Sequence, residues 1–328
     1  MPSPRSRGSW VAPESRPKDE SGLPPRPLLY GILTAGIVAV SSAALLIRLA
    51  SDASPLAVAA WRLLLAALLL APLALLRRPS LPMAQRDRLL AAVTGVFLAL
   101  HFVLWITSLR YTSVASSVVL VSTTPVFVAL GSLLVLRERL RPGTILAIPA
   151  SVAGGILIGF GGRGFGESAL SGDLLAVGGA IMMSCGLLIG RRVRQRVRLV
   201  DYVFTSYGTA GGLVLIACLA LGVPLFGFRG TTYLYLALLA LGPQLVGHST
   251  FNWALRYLPA STVAVLALGE PIGSSLFAWG LLGERLNLLE GIGGGLILLG
   301  IYLTMREGGT PVPRVEEEGR PADAKDGT

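Results

Sequence analysis

The stretch Pro55–Leu76 reads PLAVAAWRLLLAALLLAPLALL and contains a single charged residue, Arg62. A helix that rises 1.5 Å per residue needs roughly 20 apolar residues to cross a hydrocarbon core about 30 Å thick. The stretch has this length and this composition. It therefore predicts a transmembrane helix.

Comparable apolar runs occur along most of the chain, and only 14% of its 328 residues are charged. An ordinary soluble domain has about 25% charged residues. The sequence therefore predicts an all-α integral membrane protein with ten transmembrane helices. We expect these helices at 28–49, 55–76, 89–109, 114–136, 142–160, 172–191, 202–222, 232–254, 260–282 and 288–305.

The two ends of the chain differ in composition from the apolar runs. Residues 1–27 and 307–328 are rich in Pro, Gly, Ser and charged residues, a composition that buries too little apolar surface to fold. We expect both to be disordered cytoplasmic tails. The first apolar run follows a long polar segment and lacks a cleavage site, so we expect it to remain in the mature protein.

The net charge of +10 would suggest a nucleic-acid partner in a soluble protein, but membrane topology explains it better. If the N-terminus is cytoplasmic, most of the 28 Lys and Arg residues fall in cytoplasmic segments, with clusters at 137–141 and 191–198. The distribution predicts a multi-pass protein of the inner (plasma) membrane. It also predicts that both termini are cytoplasmic and that the partner is the lipid bilayer, with no nucleic acid.

Short motifs recur in the same order and at the same spacing. The pairs are Leu109-Arg110-Tyr111 with Leu255-Arg256-Tyr257, Pro125 with Pro271, and Glu138-Arg139-Leu140 with Glu284-Arg285-Leu286. They indicate a duplicated five-helix unit, 28–160 and 172–306, joined by an external linker, 161–171. Because each unit has an odd number of helices, the second must be inverted in the membrane. Inverted repeats are typical of transporters that alternate access around a midplane site.

These motifs resemble those of the EamA family in the drug/metabolite transporter superfamily. Further matches are Trp61-Arg62-Leu63 near the start of helix two, Gly172-Asp173 at the start of helix six, and Glu270-Pro271 in helix nine. The resemblance covers nearly all of 28–305. It implies a ten-helix bundle with cytoplasmic termini that carries small metabolites such as amino acids, usually outward.

The leading hypothesis is a secondary transporter, an exporter of amino-acid-like or amphipathic solutes, that alternates access between the two repeats. We expect neither a cofactor nor a metal, because no nucleotide-binding motif occurs and Cys185 and Cys218 lack metal-ligand spacing. Two alternatives stay open. One is an integral-membrane enzyme acting on lipid-linked substrates, and the other is a membrane scaffold that does not transport.

Polar residues at membrane depth are functional candidates because they are expensive to bury. His101 and Trp105 lie four residues apart on one face of helix three. Together they could stack on a planar solute or bind its carboxylate. Alternatively, His101 is a packing residue bonded to a neighbouring carbonyl.

Gln244, His248 and Asn252 form a polar stripe along helix eight. The stripe could line a solute path. It could equally provide interhelical hydrogen bonds, each worth about 0.6 kcal/mol in membranes.

Arg62 and Glu270 are charged residues at membrane depth. Arg62 could bind an anionic group of the substrate or extend its head group to the outer interface. Glu270 could couple transport to protons, or act as a neutral acid that satisfies the carbonyl freed by Pro271. Pro125 and Pro271 are predicted hinges whose freed carbonyls face a cavity.

Helices five and ten are rich in glycine. Ala150 and Gly154 in one, and Gly291 and Gly295 in the other, have the spacing that permits close helix approach. We expect them to pack within the monomer or to form a homodimer interface.

Overall fold

The computed structural model describes residues 24–76, 83–111, 117, 120–137, 140–161, 170–283 and 287–306. Ten helices are counted in these ranges, and we number them α1 to α10. Seven are long and apolar enough to cross a membrane, and α4 and α5 are shorter apolar helices. The remaining helix, α8, contains a π-helical segment, which is wider than an α-helix. The prediction of an all-α membrane protein with ten helices is confirmed.

Four helices are interrupted within their length, and six are continuous. The continuous ones are α2 (Pro55–Leu76), α3 (Gln85–Ser108), α5 (Pro142–Gly161), α6 (Leu170–Arg194), α7 (Leu199–Ala220) and α10 (Leu288–Arg306). The interrupted ones are α1 (Arg26–Ser41, Ala43–Leu49), α4 (Thr124–Gly131, Ser132–Leu136), α8 (Gly230–Leu239, Ala240–His248, Ser249–Ala254) and α9 (Ala260–Ala267, Gly269–Leu282).

Several predicted boundaries need correction. The first helix begins at Arg26, so the last two residues assigned to the N-terminal tail are helical. The predicted linker 161–171 is shorter at both ends, because α5 includes Gly161 and α6 begins at Leu170. Residues 1–23, 162–169 and 307–328, with much of the predicted helix before Leu120, lie outside the described residues.

Helices from the two sequence halves pack against each other more than within each half. Helix α1 contacts α8 and α9, and α6 contacts α3 and α4. Helix α2 packs on α7, and α5 packs on α10. The contacts of α1 with α8 and α9 thus correspond to those of α6 with α3 and α4 in the other half. The contacts of α2 with α7 and of α5 with α10 each join two corresponding helices.

The contact between α5 and α10 is a crossing of two backbones. A Cβ atom on Gly154 would lie 2.5 Å from the carbonyl oxygen of Gly293, and a Cβ on Gly293 would lie 2.5 Å from that of Gly154. Gly291 and Gly295 have nothing within 4 Å on their open side. Close approach at Gly154 thus occurs within the monomer, while the homodimer stays a prediction.

A turn lies just before the proline of α4 and just before the proline of α9. The turn at Ser122–Thr123 precedes Pro125, and the turn at Leu268 precedes Pro271. The carbonyl of Val121, which Pro125 leaves without its helical donor, accepts a 2.7 Å hydrogen bond from the Thr124 hydroxyl. This carbonyl therefore has a local hydrogen-bond donor, and its facing a cavity stays a prediction. The hinge role stays a prediction.

Asp52, in the loop between α1 and α2, caps the start of α8. Its carboxylate accepts hydrogen bonds from the Arg229 backbone N–H at 2.9 Å and from the Thr232 hydroxyl at 2.5 Å. Unpaired N–H groups at a helix start favour a negative charge. The bonds from Thr232 and Arg229 lower the pKa of Asp52 to about 2.

We predict that Gly154→Ala lowers the free energy of unfolding by about 1–3 kcal/mol, because the added methyl group meets a backbone carbonyl that cannot move freely. Gly295→Ala is the matched control and should stabilise by up to about 1 kcal/mol through helix propensity. Thermal unfolding of the purified protein in detergent measures both. Equal effects of the two substitutions would contradict the crossing at Gly154.

We also predict that Asp52→Asn lowers the melting temperature at neutral pH. The folded-state pKa of Asp52 lies below its ordinary value, so the stabilisation is complete above the ordinary value and is lost as the pH falls through about 2. Melting curves should show a constant difference between wild type and variant from about pH 5 to 8 and a shrinking one below about pH 4. A difference independent of pH throughout would argue against the charged cap.

Candidate functional site

Arg62 lies inside the helix bundle, with 1% of its surface exposed. Its Nε–H donates a 3.0 Å hydrogen bond to the Gln244 side-chain oxygen, and its guanidinium carbon lies 4.1 Å from the centre of the Phe102 ring. The two terminal nitrogens of Arg62 are buried and have no hydrogen-bond partner among the described residues. The side chain therefore points inward and does not extend to the outer interface.

Trp61, the neighbour of Arg62, faces the loop before α8. Its indole N–H donates to the Leu225 carbonyl at 2.8 Å, and its ring packs edge-on against Phe226 and Tyr233. Because adjacent helical residues point in different directions, anchoring Trp61 on the loop leaves Arg62 directed into the bundle.

The wide segment Ala240–His248 of α8 presents Gln244 and His248 to the interior. This segment is a π-helix with Pro243 inside it, and proline removes one backbone donor and crowds the preceding turn. π-helical segments are rare and are frequently found at functional sites. Gln244 is fully buried, and its amide nitrogen has no hydrogen-bond partner among the described residues.

The predicted stripe on α8 reaches three different neighbours. Gln244 contacts Arg62, whereas the half-buried His248 approaches the Phe102 ring edge-on at 5.4 Å. Asn252 donates a 3.4 Å hydrogen bond to the hydroxyl of Tyr207. The three side chains thus connect α8 with α2, α3 and α7.

His101 and Trp105 share a face of α3, as their spacing predicts, and their rings stack. Their rings lie 6.0 Å apart at 11° to each other, and the Nδ1–H of His101 donates a 2.9 Å hydrogen bond to the Gly179 carbonyl of α6. That bond is the packing alternative foreseen for His101. The indole N–H of Trp105 is buried, with no partner among the described residues.

Glu270 follows the break in α9 and is half-buried. No described residue forms a hydrogen bond or ion pair with its carboxylate, but the charge of Glu270 interacts electrostatically with that of Arg62. The Glu270 backbone carbonyl accepts a 3.3 Å hydrogen bond from the hydroxyl of Ser41 in α1. Helix packing thus places the carboxylate near the guanidinium without pairing them.

The structure brings Arg62, Gln244, His101, Trp105 and His248 around one residue that sequence reasoning missed, Phe102. The Phe102 ring contacts Arg62 and His248 and lies 4.9 Å from His101 and 6.5 Å from Trp105. We call these residues, together with Glu270, the central cluster. Asn252 and Pro125 have no described side-chain contact with it, and Pro271 adjoins it only as the chain neighbour of Glu270.

Tyr207 was missed as well. Its hydroxyl lies 3.1 Å from the Ser249 hydroxyl and 3.4 Å from the backbone carbonyl of Gln244. Nothing in the sequence distinguishes Phe102 or Tyr207 from the apolar residues around them. Only their neighbours in the fold identify them.

A model of the EamA-like transporter family matches residues 26–160 and again residues 170–306. The chain is 27% identical over 279 residues to the uncharacterized inner membrane transporter YedA of Escherichia coli K12, covering 84% of this chain and 90% of that protein. It is 26% identical over 221 residues to an uncharacterized transporter of Archaeoglobus fulgidus, covering 67% of this chain and 77% of that protein.

A human relative, solute carrier family 35 member G1, is 22% identical over 277 residues, covering 80% of this chain and 74% of that protein. One solved crystal structure superposes with a TM-score of 0.73 at 20% identity and covers 86% of this chain and 98% of that one. This last likeness shows the fold alone. The family match and the transporter relatives point to a membrane transporter of small solutes and not to an enzyme. The chain belongs to the EamA-like transporter family.

Proposed function

We propose that the chain is a secondary transporter, an exporter of amino-acid-like or amphipathic solutes, with its binding site at the central cluster. The observation that carries this proposal is the buried Arg62 guanidinium, whose two terminal nitrogens lack partners among the described residues. Leaving a buried charged donor unpaired is costly. A bound carboxylate would satisfy both nitrogens in the bidentate geometry that arginine favours.

The aromatic residues of the cluster supply an apolar surface beside this charge. Phe102 packs against the guanidinium, while His101 and Trp105 form a stacked pair next to it. Aromatic rings bury large apolar areas and accept both planar and aliphatic groups. The cluster therefore suits a solute with a charged head and an apolar remainder.

The duplication and its inversion are part of the proposal. The family model matches each half separately, and the breaks before Pro125 and Pro271 occupy corresponding positions in the two halves. Corresponding helices of the two halves also make corresponding contacts. An odd number of helices in each half, 28–160 and 172–306, would invert the second half. Arg62 in the first half and Gln244 in the second would then meet between the repeats, as sites of inverted-repeat transporters do.

Alternating access requires contacts at opposite ends of the bundle to form and break. At the C-terminal end of α8, Arg191 and Gln195 donate to the Leu255 carbonyl at 2.8 and 3.2 Å, and Arg194 donates to the Asn252 carbonyl at 2.9 Å. At the other end of α8, Asp52 caps its start. Helix α1 packs on α8 and α9, while α6 packs on α3 and α4. We therefore propose that α1 moves with α8 and α9, and α6 with α3 and α4, rather than each sequence half moving as a unit.

The positive-inside rule supports a cytoplasmic location for the arginine-rich end of α6 and for both termini. An inner membrane location agrees with the name of the E. coli relative, an inner membrane transporter. The family resemblance supports export. Proton coupling through Glu270 stays a prediction.

We predict saturable counterflow of labelled amino acids in proteoliposomes. No described residue forms a hydrogen bond with the His248 side chain. His248→Ala should raise KM about tenfold, because it removes a ring that contacts Phe102 in the proposed site. Its melting temperature should barely change. His101→Ala is the matched comparison and should lower both flux and melting temperature, since it also loses the bond to Gly179.

Counterflow that neither substitution changes would place the solute site elsewhere. Absence of flux for every solute, with intact melting curves, would favour the scaffold alternative.

A further inference from the structure

Arg62 and Glu270 carry opposite charges inside the bundle but do not pair. The other described acidic residues within helices, Asp87, Asp173, Asp201 and Glu290, lie in the first turns of α3, α6, α7 and α10. Glu270 instead follows an interruption in the middle of α9. Glu270 lies in the first turn of the second α9 segment, within the apolar span rather than at its end.

The Arg62 side of this pair offers hydrogen-bond donors without acceptors. Both terminal nitrogens of Arg62 and the amide nitrogen of Gln244 are buried and lack partners in the described ranges. The Arg62–Gln244 hydrogen bond holds these groups next to each other. Three adjacent donors fit the two oxygens of a carboxylate.

The Glu270 side offers acceptors without donors. No hydrogen bond or ion pair reaches its carboxylate from the described residues. Glu270 is half-buried, so part of its surface is exposed. Its backbone is fixed by bonding to α1, where the Ser41 hydroxyl donates to the Glu270 carbonyl and Ser274 donates to the Ser41 carbonyl at 2.9 Å. The carboxylate therefore fits an ammonium group.

We propose that the central cluster recognises a zwitterion by its two charges separately. Arg62 and Gln244 bind the carboxylate of the solute, and Glu270 binds its ammonium group. This inference rests on the proposed function and assigns Glu270 to solute recognition. An anion without an ammonium group would meet the negative charge of Glu270, and an amine without a carboxylate would meet the positive charge of Arg62.

The experiment measures thermal stabilisation of the purified full chain in detergent, because a bound ligand raises the melting temperature. The twenty L-amino acids are screened one at a time. The most strongly stabilising one is then compared with its deaminated acid and its decarboxylated amine. We expect each analogue to bind at least about tenfold more weakly than the amino acid.

Glu270→Gln should reduce the affinity for the amino acid to that for the deaminated acid and leave the latter unchanged or tighter. Arg62→Lys should weaken the binding of both the amino acid and the deaminated acid, because lysine lacks the bidentate fork. Arg26→Gln, at the exposed start of α1, is the control and should change neither. The wild-type comparison of analogues decides the question even if Arg62 variants fail to fold.

Equal binding of amino acid and deaminated acid by the wild type, or a Glu270→Gln variant that keeps the preference, would overturn the inference. It would also be overturned if no amino acid stabilised the protein. Counterflow of another solute in proteoliposomes would then leave the proposed transport function standing, whereas its absence would remove both.

Discussion

A hydrocarbon interior provides no partner for an unpaired backbone N–H or C=O, and the rest of this structure depends on that constraint. Helices α1, α4, α8 and α9 are nevertheless irregular at membrane depth. In α4, the hydroxyls of Thr123 and Thr124 donate to the carbonyls of Leu120 and Val121. In α1, the hydroxyl of Ser42 donates to the Ala39 carbonyl. In α1 and α4, short hydroxyl side chains thus supply donors to carbonyls at the breaks, and at Val121 the hydroxyl replaces the donor that Pro125 lacks.

The irregular backbone and the polar side chains of the central cluster occur together. Gln244 and His248 belong to the π segment of α8, and Glu270 follows the break in α9. Arg62 and His101 lie on regular helices but bond to groups on the opposite half of the chain. Each half therefore supplies partners for the buried polar groups of the other, and the cluster depends on the packing of both.

Sequence reasoning predicted the helices because hydropathy over about 20 residues reports directly on membrane spanning. It also predicted that His101 and Trp105 lie on one face of α3, since helical spacing alone determines which side chains share a face. It could not predict the bond between Arg62 and Gln244 or the central position of Phe102, because these depend on which helices become neighbours. It also could not predict the turn at Ser122–Thr123, because the hydroxyl bonds of Thr123 and Thr124 that accompany this turn have no periodic pattern.

The packing of α1 on α8 and α9 has a consequence for how the protein is made. Gly36, Gly247 and Gly269 allow α1 to approach both helices closely, yet α1 is synthesised well before its two partners. During translation α1 must therefore stay in the bilayer with lipid against the surface that these helices later cover. Its mean hydropathy of 2.1 makes it stable there on its own. Final assembly of the bundle has to wait until the ribosome has completed most of the chain.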